Sequence, residues 1–87
     1  MYGYELRKSV EKIFFKLAKK DSKLLKDAHR KIEEIRSNPN HCKNLRYPLQ
    51  RLKRVHVGGS FVMVFSVDEA RKIIIIEEFD HHDNIYV

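Results

Sequence analysis

The middle of this chain lacks acidic residues. No Asp or Glu occurs from residue 35 to residue 67. The same segment carries six cationic residues, namely Arg36, Lys43, Arg46, Arg51, Lys53 and Arg54. The whole chain has 18 Lys+Arg and 12 Asp+Glu, so the cations and acids outside the segment balance at 12 each. The excess charge is therefore local, and a local cationic patch creates a field that a phosphate backbone feels.

Cysteine, long apolar runs and catalytic motifs are also scarce. Cys42 is the only cysteine, which excludes an internal disulfide and fits a reducing, cytoplasmic location. The N-terminus lacks the apolar stretch of a signal peptide. The longest apolar run, Ile73–Ile76, is too short to cross a bilayer, so we expect no membrane partner. No Gly-rich phosphate loop, paired-carboxylate arrangement or nucleophile motif is present.

The first half of the chain has a helical period. We expect one domain, residues 1–87, because two cores could not each bury enough surface. Tyr2–Leu6 is a candidate strand. Ser9–Lys19 and Lys23–Arg36 are predicted helices, since apolar residues recur in both at helical spacing. Asp21 and Ser22 interrupt the pattern between them and offer a cap to the second helix. So short a connection predicts an antiparallel helical hairpin.

The second half changes to the period of two that is typical of β-strands. The predicted strands are Leu52–Val57, Ser60–Val67 and Lys72–Phe79, and Gly58-Gly59 predicts a hairpin turn between the first two. The order is then strand, helix, helix and a three-stranded antiparallel meander. The sequence therefore predicts an α+β fold in which one sheet is covered by the helices on one face.

One face of this predicted sheet gathers residues suited to nucleic-acid chemistry. If the helices cover Phe61, Met63 and Phe65, Arg54 and His56 lie on the opposite face. The polar tail leaves the last strand and could return across that face. It would then bring three further side chains toward Arg54 and His56, namely His81, His82 and Tyr86.

These residue types suit the binding or cleavage of RNA. Arginine offers paired donors to phosphate, histidine transfers protons near neutral pH, and tyrosine stacks on a base. Metal-free cleavage needs a base for the ribose 2′-hydroxyl, cations for the pentacoordinate phosphate and an acid for the departing 5′-oxygen. A plainer interpretation stays open, because basic side chains, histidines and a polar terminus are also ordinary solvated surface.

A zinc site is a second chemical alternative, because His41, Cys42, His81 and His82 are suitable ligand types. Adjacent pairs are not the usual spacing of structural zinc ligands, and neighbours on a strand point in opposite directions. This mismatch argues against the site. The sequence therefore predicts no metal and no other cofactor.

The order of elements and several short stretches resemble the RelE/ParE superfamily, the small toxins of toxin–antitoxin pairs. The resemblance covers nearly the whole chain, including the N-terminal strand and the helical hairpin. The stretches that are similar to family patterns are Ser37-Asn38-Pro39, Asn44-Leu45-Arg46, Arg54-Val55-His56-Val57-Gly58, Phe61-Val62-Met63-Val64-Phe65 and His81-His82-Asp83-Asn84-Ile85-Tyr86. Each stretch alone is unspecific, but their order in a chain of this size identifies the family.

In its RelE branch, the resemblance implies a toxin that cuts messenger RNA in the ribosomal A site by 2′-hydroxyl attack, without a metal. Arg54 and His56 match two basic strand positions that contact phosphate. His82 matches a position where members carry Arg or a catalytic His. Tyr86 matches the terminal aromatic residue that orients the substrate. The resemblance thus implies a catalytic set of Arg54, His56, His82 and Tyr86.

One departure from the family pattern concerns Val62, which stands where many active members carry Arg. A cation at the phosphate is then missing unless Arg46, Arg51 or Lys53 replaces it. The lysines of the predicted second helix offer further contacts, in our interpretation to ribosomal RNA. The expected RNA-binding residues are Lys23, Lys26, Arg46, Arg51 and Lys53.

Other functions stay open on the sequence alone. The ParE branch keeps the fold but inhibits DNA gyrase without this catalytic set, and a plain RNA-binding domain also fits the charge. A toxin implies a small acidic antitoxin, RelB-like, that folds over the cationic face to give a hetero-oligomer. The RelE branch adds the ribosome and mRNA as partners.

Overall fold

Six regular elements build the fold, and the computed structural model describes residues 1–46 and 49–85. The elements are β1 (Gly3–Leu6), α1 (Lys8–Lys20), α2 (Ser22–Ser37), β2 (Lys53–Val57), β3 (Phe61–Asp68) and β4 (Ile73–His81). Two short 3₁₀ turns follow α2 and β4, at Pro39–His41 and His82–Asn84. We call the second one the tail turn. The predicted elements are all confirmed, with ends that differ by one or two residues.

The strands form one mixed sheet in the order β1-β4-β3-β2. β2, β3 and β4 make the predicted antiparallel meander, whereas β1 adds to β4 in parallel. Both helices cover one face of this sheet, which we call the helix face. The opposite face is called the open face. The α+β prediction is confirmed in class and in layer arrangement.

The helical hairpin forms because its two helices share one connecting residue. Asp21 ends α1 and caps α2, and its carboxylate accepts a hydrogen bond from the Leu24 amide at 3.1 Å. Of the two cap candidates that the sequence offered, the structure selects Asp21, and Ser22 is the first residue of α2. The apolar stripes of both helices are buried against the sheet, and the Phe14 ring makes an edge contact of 5.4 Å with Phe79 of β4.

The β2–β3 hairpin turns at Gly58-Gly59. Both residues have positive φ, 63° and 88°, a conformation that costs little only for glycine. A Cβ on Gly58 would also lie 3.0 Å from the Leu24 side chain of α2. The turn therefore needs glycine at residue 58 for its backbone conformation and for its close approach to the helix.

A β-bulge in β4 changes which side chains face the helices. Val64 pairs with Glu78 but the next residue, Phe65, pairs with Ile76, so Glu77 is an extra residue in β4. Ile74 and Ile76 face the helices before the bulge. After it the alternation is shifted by one residue, and Phe79 rather than Glu78 enters the core.

A second, smaller apolar cluster lies on the open face. Val62 and Val64 of β3 are covered by Leu45 from the loop before β2 and by Ile85 from the tail. All four side chains are less than a tenth exposed, and Leu52 packs beside them. We call these five residues the open-face cluster. None of the described helices is long and apolar enough to cross a membrane.

Candidate nucleic-acid interface

The open face of edge strand β2 presents Arg54 and His56 side by side. Alternation along β2 places Val55 and Val57 against Met63 and Phe61 on the helix face, and leaves Arg54 and His56 exposed on the other. This is the placement that the sequence predicted. A guanidinium and an imidazole two residues apart on one strand face can contact one phosphate together.

Across the open face, basic residues of β2 and acidic residues of β4 are separated by apolar residues of β3. One row runs from Arg54 through Val64 to Glu78, and the next runs from His56 through Val62 to Asp80. Neighbouring strands are about 4.8 Å apart, so the basic and acidic residues at the two ends of a row are separated by two strand spacings. The acids of β4 repel phosphate, and the β2 side of the face is therefore the side that fits a nucleic-acid backbone.

A groove beside this cationic edge has an apolar floor. Its volume is about 370 Å³, and Leu45, Val64 and Ile85 line it. Arg51 borders the groove together with Glu77 and Glu78. Arg46 is exposed next to the buried Leu45. Of the two predicted RNA-binding arginines of the loop, Arg51 thus lies at the groove on the open face, and Arg46 follows a residue that covers this face.

Lys53 has a different position from its neighbour Arg54. It pairs with Phe65, on the helix side of β2. Its ammonium donates to the Cys42 carbonyl at 3.1 Å and to the Asn44 side chain at 2.8 Å. The structure thus separates Lys53 from Arg54 and His56, and these contacts fasten the loop that precedes β2.

Lys23 and Lys26 lie on the opposite side of the molecule from Arg54. Both are exposed on α2, whose buried stripe includes Leu24 and Ala28. At 100° per residue, Lys23 and Lys26 point away from that stripe and from the sheet. The expected RNA-binding set is therefore divided between two surfaces.

The prediction that His81 would lie toward Arg54 and His56 is wrong. His81 pairs with Phe61, and the two rings make an edge contact at 5.7 Å on the helix side of the sheet. The cause is the bulge at Glu77, which reverses the alternation of β4 before it reaches His81. Without a bulge, His81 would have shared the face of Arg54.

His82 begins the tail turn and stacks on His81, with ring centroids 4.5 Å apart. Its amide donates to the Ser60 carbonyl at 2.9 Å, and its Nδ1 lies 3.0 Å from a carboxylate oxygen of Asp83. Among the described residues, these contacts do not join His82 to Arg54 or His56. Tyr86, the fourth predicted catalytic residue, lies outside the described residues.

The tail returns across the open face because the turn after β4 is held at several points. The Asp80 carboxylate accepts from the His81 amide at 2.7 Å and from the Asn84 side chain at 3.2 Å. Ile85 then enters the open-face cluster beside Val62. Sequence reasoning missed Asp80 and Asn84, although Asp and Asn near a strand end are a usual turn signal.

A hydrogen-bond network surrounds the bulged residue Glu77. Its carboxylate accepts from Arg7 at 2.9 Å and from the Ser66 hydroxyl at 2.7 Å. Partial burial acts to raise the pKa of Glu77, but the hydrogen bonds from Arg7 and Ser66 together outweigh it and hold this pKa below its usual value. Glu77 therefore stays ionised, which fits a structural role better than proton transfer near neutral pH.

The described residues include one group of side chains that could hold a metal ion, namely His81, His82 and Asp83. One ligand atom from each lies within 4.8 Å of the others. His41 and Cys42, which the sequence considered together with the two histidines, do not belong to this group.

Comparison with known proteins agrees with this architecture. Residues 4–86 match the model of a family described as the ParE toxin of a type II toxin–antitoxin system. A protein of Methanocaldococcus jannaschii named as a putative toxin RelE4 is 56% identical over 86 residues, which are 99% of this chain and 92% of that protein. An uncharacterised protein of Methanosarcina mazei is 45% identical over 99% of this chain and 100% of its own length.

The chain belongs to the RelE/ParE superfamily of type II toxin–antitoxin toxins.

Solved structures of other toxins share the fold of this one. The Mycobacterium tuberculosis toxin–antitoxin complex RelBE2 contains a chain with a TM-score of 0.78 and 17% identity, covering 93% of this toxin and 98% of that chain. The isolated RelE toxin of Escherichia coli gives a TM-score of 0.76 at 15% identity, covering 93% of this toxin and 84% of the other chain. At identities this low, the similarity shows a shared fold but does not show a shared chemistry.

The names differ in the branch that they indicate. The family model carries the ParE name, whereas the relative from Methanocaldococcus jannaschii carries the RelE name. Both agree on a toxin of a toxin–antitoxin pair. The side chains of the open face must therefore decide between the branches.

Proposed function

We propose that this toxin is a ribosome-dependent endoribonuclease that cuts mRNA in the A site and so inhibits translation. The observation that carries the proposal is the exposed pair of Arg54 and His56 on the open face of β2, within a segment that has no acid from residue 35 to residue 67. Arg51 and Arg46 extend this cationic edge along the loop. A phosphate docked there would meet donors on the β2 side and be kept from β4 by its acids.

The proposed chemistry uses the substrate's own nucleophile and no metal. A base takes the proton of a ribose 2′-hydroxyl, and its oxygen forms a bond to the adjacent phosphorus. The bond from phosphorus to the 5′-oxygen breaks, and an acid protonates the leaving oxygen. The products are a 2′,3′-cyclic phosphate and a 5′-hydroxyl. The atoms and protons balance without a co-reactant.

In this proposal, Arg54 and His56 contact the scissile phosphate, His82 transfers a proton and Tyr86 stacks on the substrate. His82 is about half exposed, so its imidazole is open to substrate. If His82 acts in this way, His82→Ala slows cleavage by about 10²–10⁴-fold. Unchanged cleavage by the purified variant removes His82 from the mechanism.

Val62 affects the strength of the proposed activity. It is 2% exposed in the open-face cluster, so an arginine at residue 62 would have to displace Leu45 or Ile85 to reach a phosphate. We propose that Arg51, on the border of the adjacent groove, supplies the missing charge. Removal of one hydrogen-bond donor from a comparable catalytic site costs about 3 kcal/mol of transition-state stabilisation. We expect Arg51 to supply a contribution of this size.

We also propose a small acidic antitoxin as the partner of this toxin in a hetero-oligomer. The toxin chain of similar fold from Mycobacterium tuberculosis is part of a toxin–antitoxin complex. The net charge of +6 and its concentration in one segment favour an acidic chain that folds over the open face. The complex should melt well above the isolated toxin, at a temperature that depends on concentration.

One experiment separates the proposed function from its alternatives. Purified toxin is added to a translation reaction with ribosomes of its source organism, the RNA ends are mapped, and gyrase supercoiling is assayed in parallel. Cut mRNA with normal supercoiling supports the proposal. Intact mRNA with blocked supercoiling overturns it in favour of a gyrase inhibitor. RNA binding without either effect indicates a plain RNA-binding domain.

The gyrase alternative has a specific observation behind it. The buried Val62 and the acids Glu78 and Asp80 make the centre of the open face less cationic than an RNA-cleaving site requires. A ParE-like inhibitor does not need a phosphate site there. For that reason the supercoiling assay belongs beside the RNA mapping.

A further inference from the structure

The end of β4 brings three potential metal ligands together. His81 is the last residue of the strand and His82 starts the tail turn, so the chain leaves its extended path between them. Neighbouring side chains on a strand point in opposite directions, but these two rings stack at 4.5 Å with planes 29° apart. The sequence argument against a metal at these histidines therefore does not apply to His81 and His82.

The separations among the three side chains match a shared ion. One oxygen of Asp83 lies 3.4 Å from His81 Nδ1, and the other lies 3.0 Å from His82 Nδ1. Two ligands at about 2.0–2.1 Å from a tetrahedral Zn²⁺ are themselves about 3.4 Å apart. Each imidazole nitrogen thus lies near this separation from one oxygen of the Asp83 carboxylate. All three ligand atoms lie within 4.8 Å of one another.

We infer that His81, His82 and Asp83 form a binding site for a first-row transition-metal ion such as Zn²⁺. Two imidazoles with one carboxylate suit Zn²⁺, Ni²⁺ or Cu²⁺, whereas Mg²⁺ prefers oxygen ligands throughout. The Asp83 side chain is 71% exposed and His82 is 52% exposed, so water completes the coordination sphere. The inferred site is an open site with three protein ligands and not a closed structural one.

The turn itself is partly organised before an ion binds. The His82 amide is held by the Ser60 carbonyl, and the Asp80 carboxylate holds the His81 amide. One existing contact competes with the ion, because His81 Nδ1 accepts a hydrogen bond from the Asp83 amide at 3.2 Å. Coordination at this nitrogen breaks that bond, so affinity is lower than for a site with four protein ligands.

Metal binding at this turn has a consequence for catalysis that rests on the proposed function. An ion on a ring nitrogen of His82 occupies the lone pair that proton transfer requires. If His82 is the proton-transfer group, Zn²⁺ inhibits RNA cleavage. If this toxin does not cleave RNA, there is no cleavage for Zn²⁺ to inhibit, but the binding of the ion is unaffected.

The direct test is calorimetric titration of the full chain, made without a histidine tag, with Zn²⁺. We expect one ion per chain for the parent. His81→Ala/His82→Ala should weaken the affinity at least about tenfold, since two of three ligands are lost. His41→Ala/Cys42→Ser is the matched control, because it removes the other adjacent pair of ligand types, and it should bind like the parent. No heat of binding with the parent, or full binding by His81→Ala/His82→Ala, overturns the site.

A second measurement does not depend on whether a variant folds. Addition of paramagnetic Co²⁺ to the labelled parent should shift or broaden amide signals around residues 80–85 first, and excess Mg²⁺ should not reverse this. Effects centred on His41 and Cys42, or reversal by Mg²⁺, would overturn the assignment. Cleavage assays with Zn²⁺ come only after binding is established, so that loss of activity is not mistaken for loss of the site.

Discussion

The two faces of the sheet are covered in different ways. The helix face is covered by two amphipathic helices, and Met63, Phe65, Ile74 and Ile76 are fully buried there. The open face is covered by single side chains from a loop and the tail. Among the described residues, its cluster has four buried apolar side chains, whereas the helix-face cluster has twelve.

This difference indicates that most of the stability comes from the helix face, and it fits the proposal that the open face carries the function. Regions with few buried apolar contacts open at lower free energy than the core, and binding surfaces are drawn from such regions. The exposed Arg54 and His56 lie beside the smaller open-face cluster. The loop and tail can therefore adjust to a ligand without loss of the helix-face core.

The largest expected effect on stability comes from a change on the helix face. Phe65→Ala removes a ring that is 0% exposed, and we expect the free energy of unfolding to fall by about 3–5 kcal/mol. Phe15→Ala is the matched control, because the Phe15 side chain is 68% exposed, and its effect should stay within about 0.5 kcal/mol. Urea unfolding followed by circular dichroism measures both. Equal losses would contradict the contrast between core and surface.

A change in the open-face cluster should cost less. Ile85→Ala leaves a cavity at a side chain that is 9% exposed and carried by a tail able to relax, so we expect a loss of about 1–2 kcal/mol. RNA cleavage should fall further than this loss explains, because Ile85 fixes the tail that carries His82. Urea unfolding and cleavage rates of the same samples test this. A loss as large as that of Phe65→Ala would show that the two faces are equally important for stability.

A smaller effect depends on pH and concerns Glu77. Because its folded-state pKa lies below the ordinary value, the ionised carboxylate stabilises the fold above about pH 4.3. This contribution is lost as pH falls through the lower, folded-state pKa. Glu77→Gln should therefore destabilise the chain by less than about 1 kcal/mol at pH 7, and the difference from the parent should vanish in acid. Thermal unfolding from pH 7 to pH 2 measures it, and a difference that grows in acid would contradict this explanation.

The smallest expected effect on stability comes from the outer surface of α2. Lys23→Glu/Lys26→Glu should change the free energy of unfolding by less than about 0.5 kcal/mol, since acids near a helix N-terminus are favourable. Its effect on ribosome binding should be much larger if these lysines dock on ribosomal RNA. Lys12→Glu/Lys16→Glu changes the net charge equally on α1. Co-sedimentation with ribosomes over a range of salt compares the two, and equal losses would indicate net charge and not a docking surface.

Much of the fold was predictable because its signals are local. The period of apolar residues in α1 and α2, the cap at Asp21 and the glycines at residues 58 and 59 each specify their own element. The side of β2 on which Arg54 lies was also predictable, since the strand alternates without interruption. These features depend on neighbours in the sequence.

The rest depends on residues that are far apart in the sequence. The bulge at Glu77 reverses the alternation of β4, and no feature of the isoleucine-rich stretch indicates it, so His81 was placed on the wrong face. The burial of Val62 results from Leu45 and Ile85, which come from a loop and a tail without periodicity. Sequence could therefore identify the catalytic candidates but not which of them are in contact.

The central claim is that the open face carries the function of this toxin. The most direct measurement is the mapping of mRNA ends in translation reactions with the Arg54→Ala/His56→Ala toxin. We expect cleavage to fall at least about a hundredfold relative to the parent, because the phosphate loses both its contacts. Arg71→Ala, which removes a positive charge from the β3–β4 turn, should cleave like the parent. Equal cleavage by the parent and by a folded Arg54→Ala/His56→Ala toxin would contradict the claim.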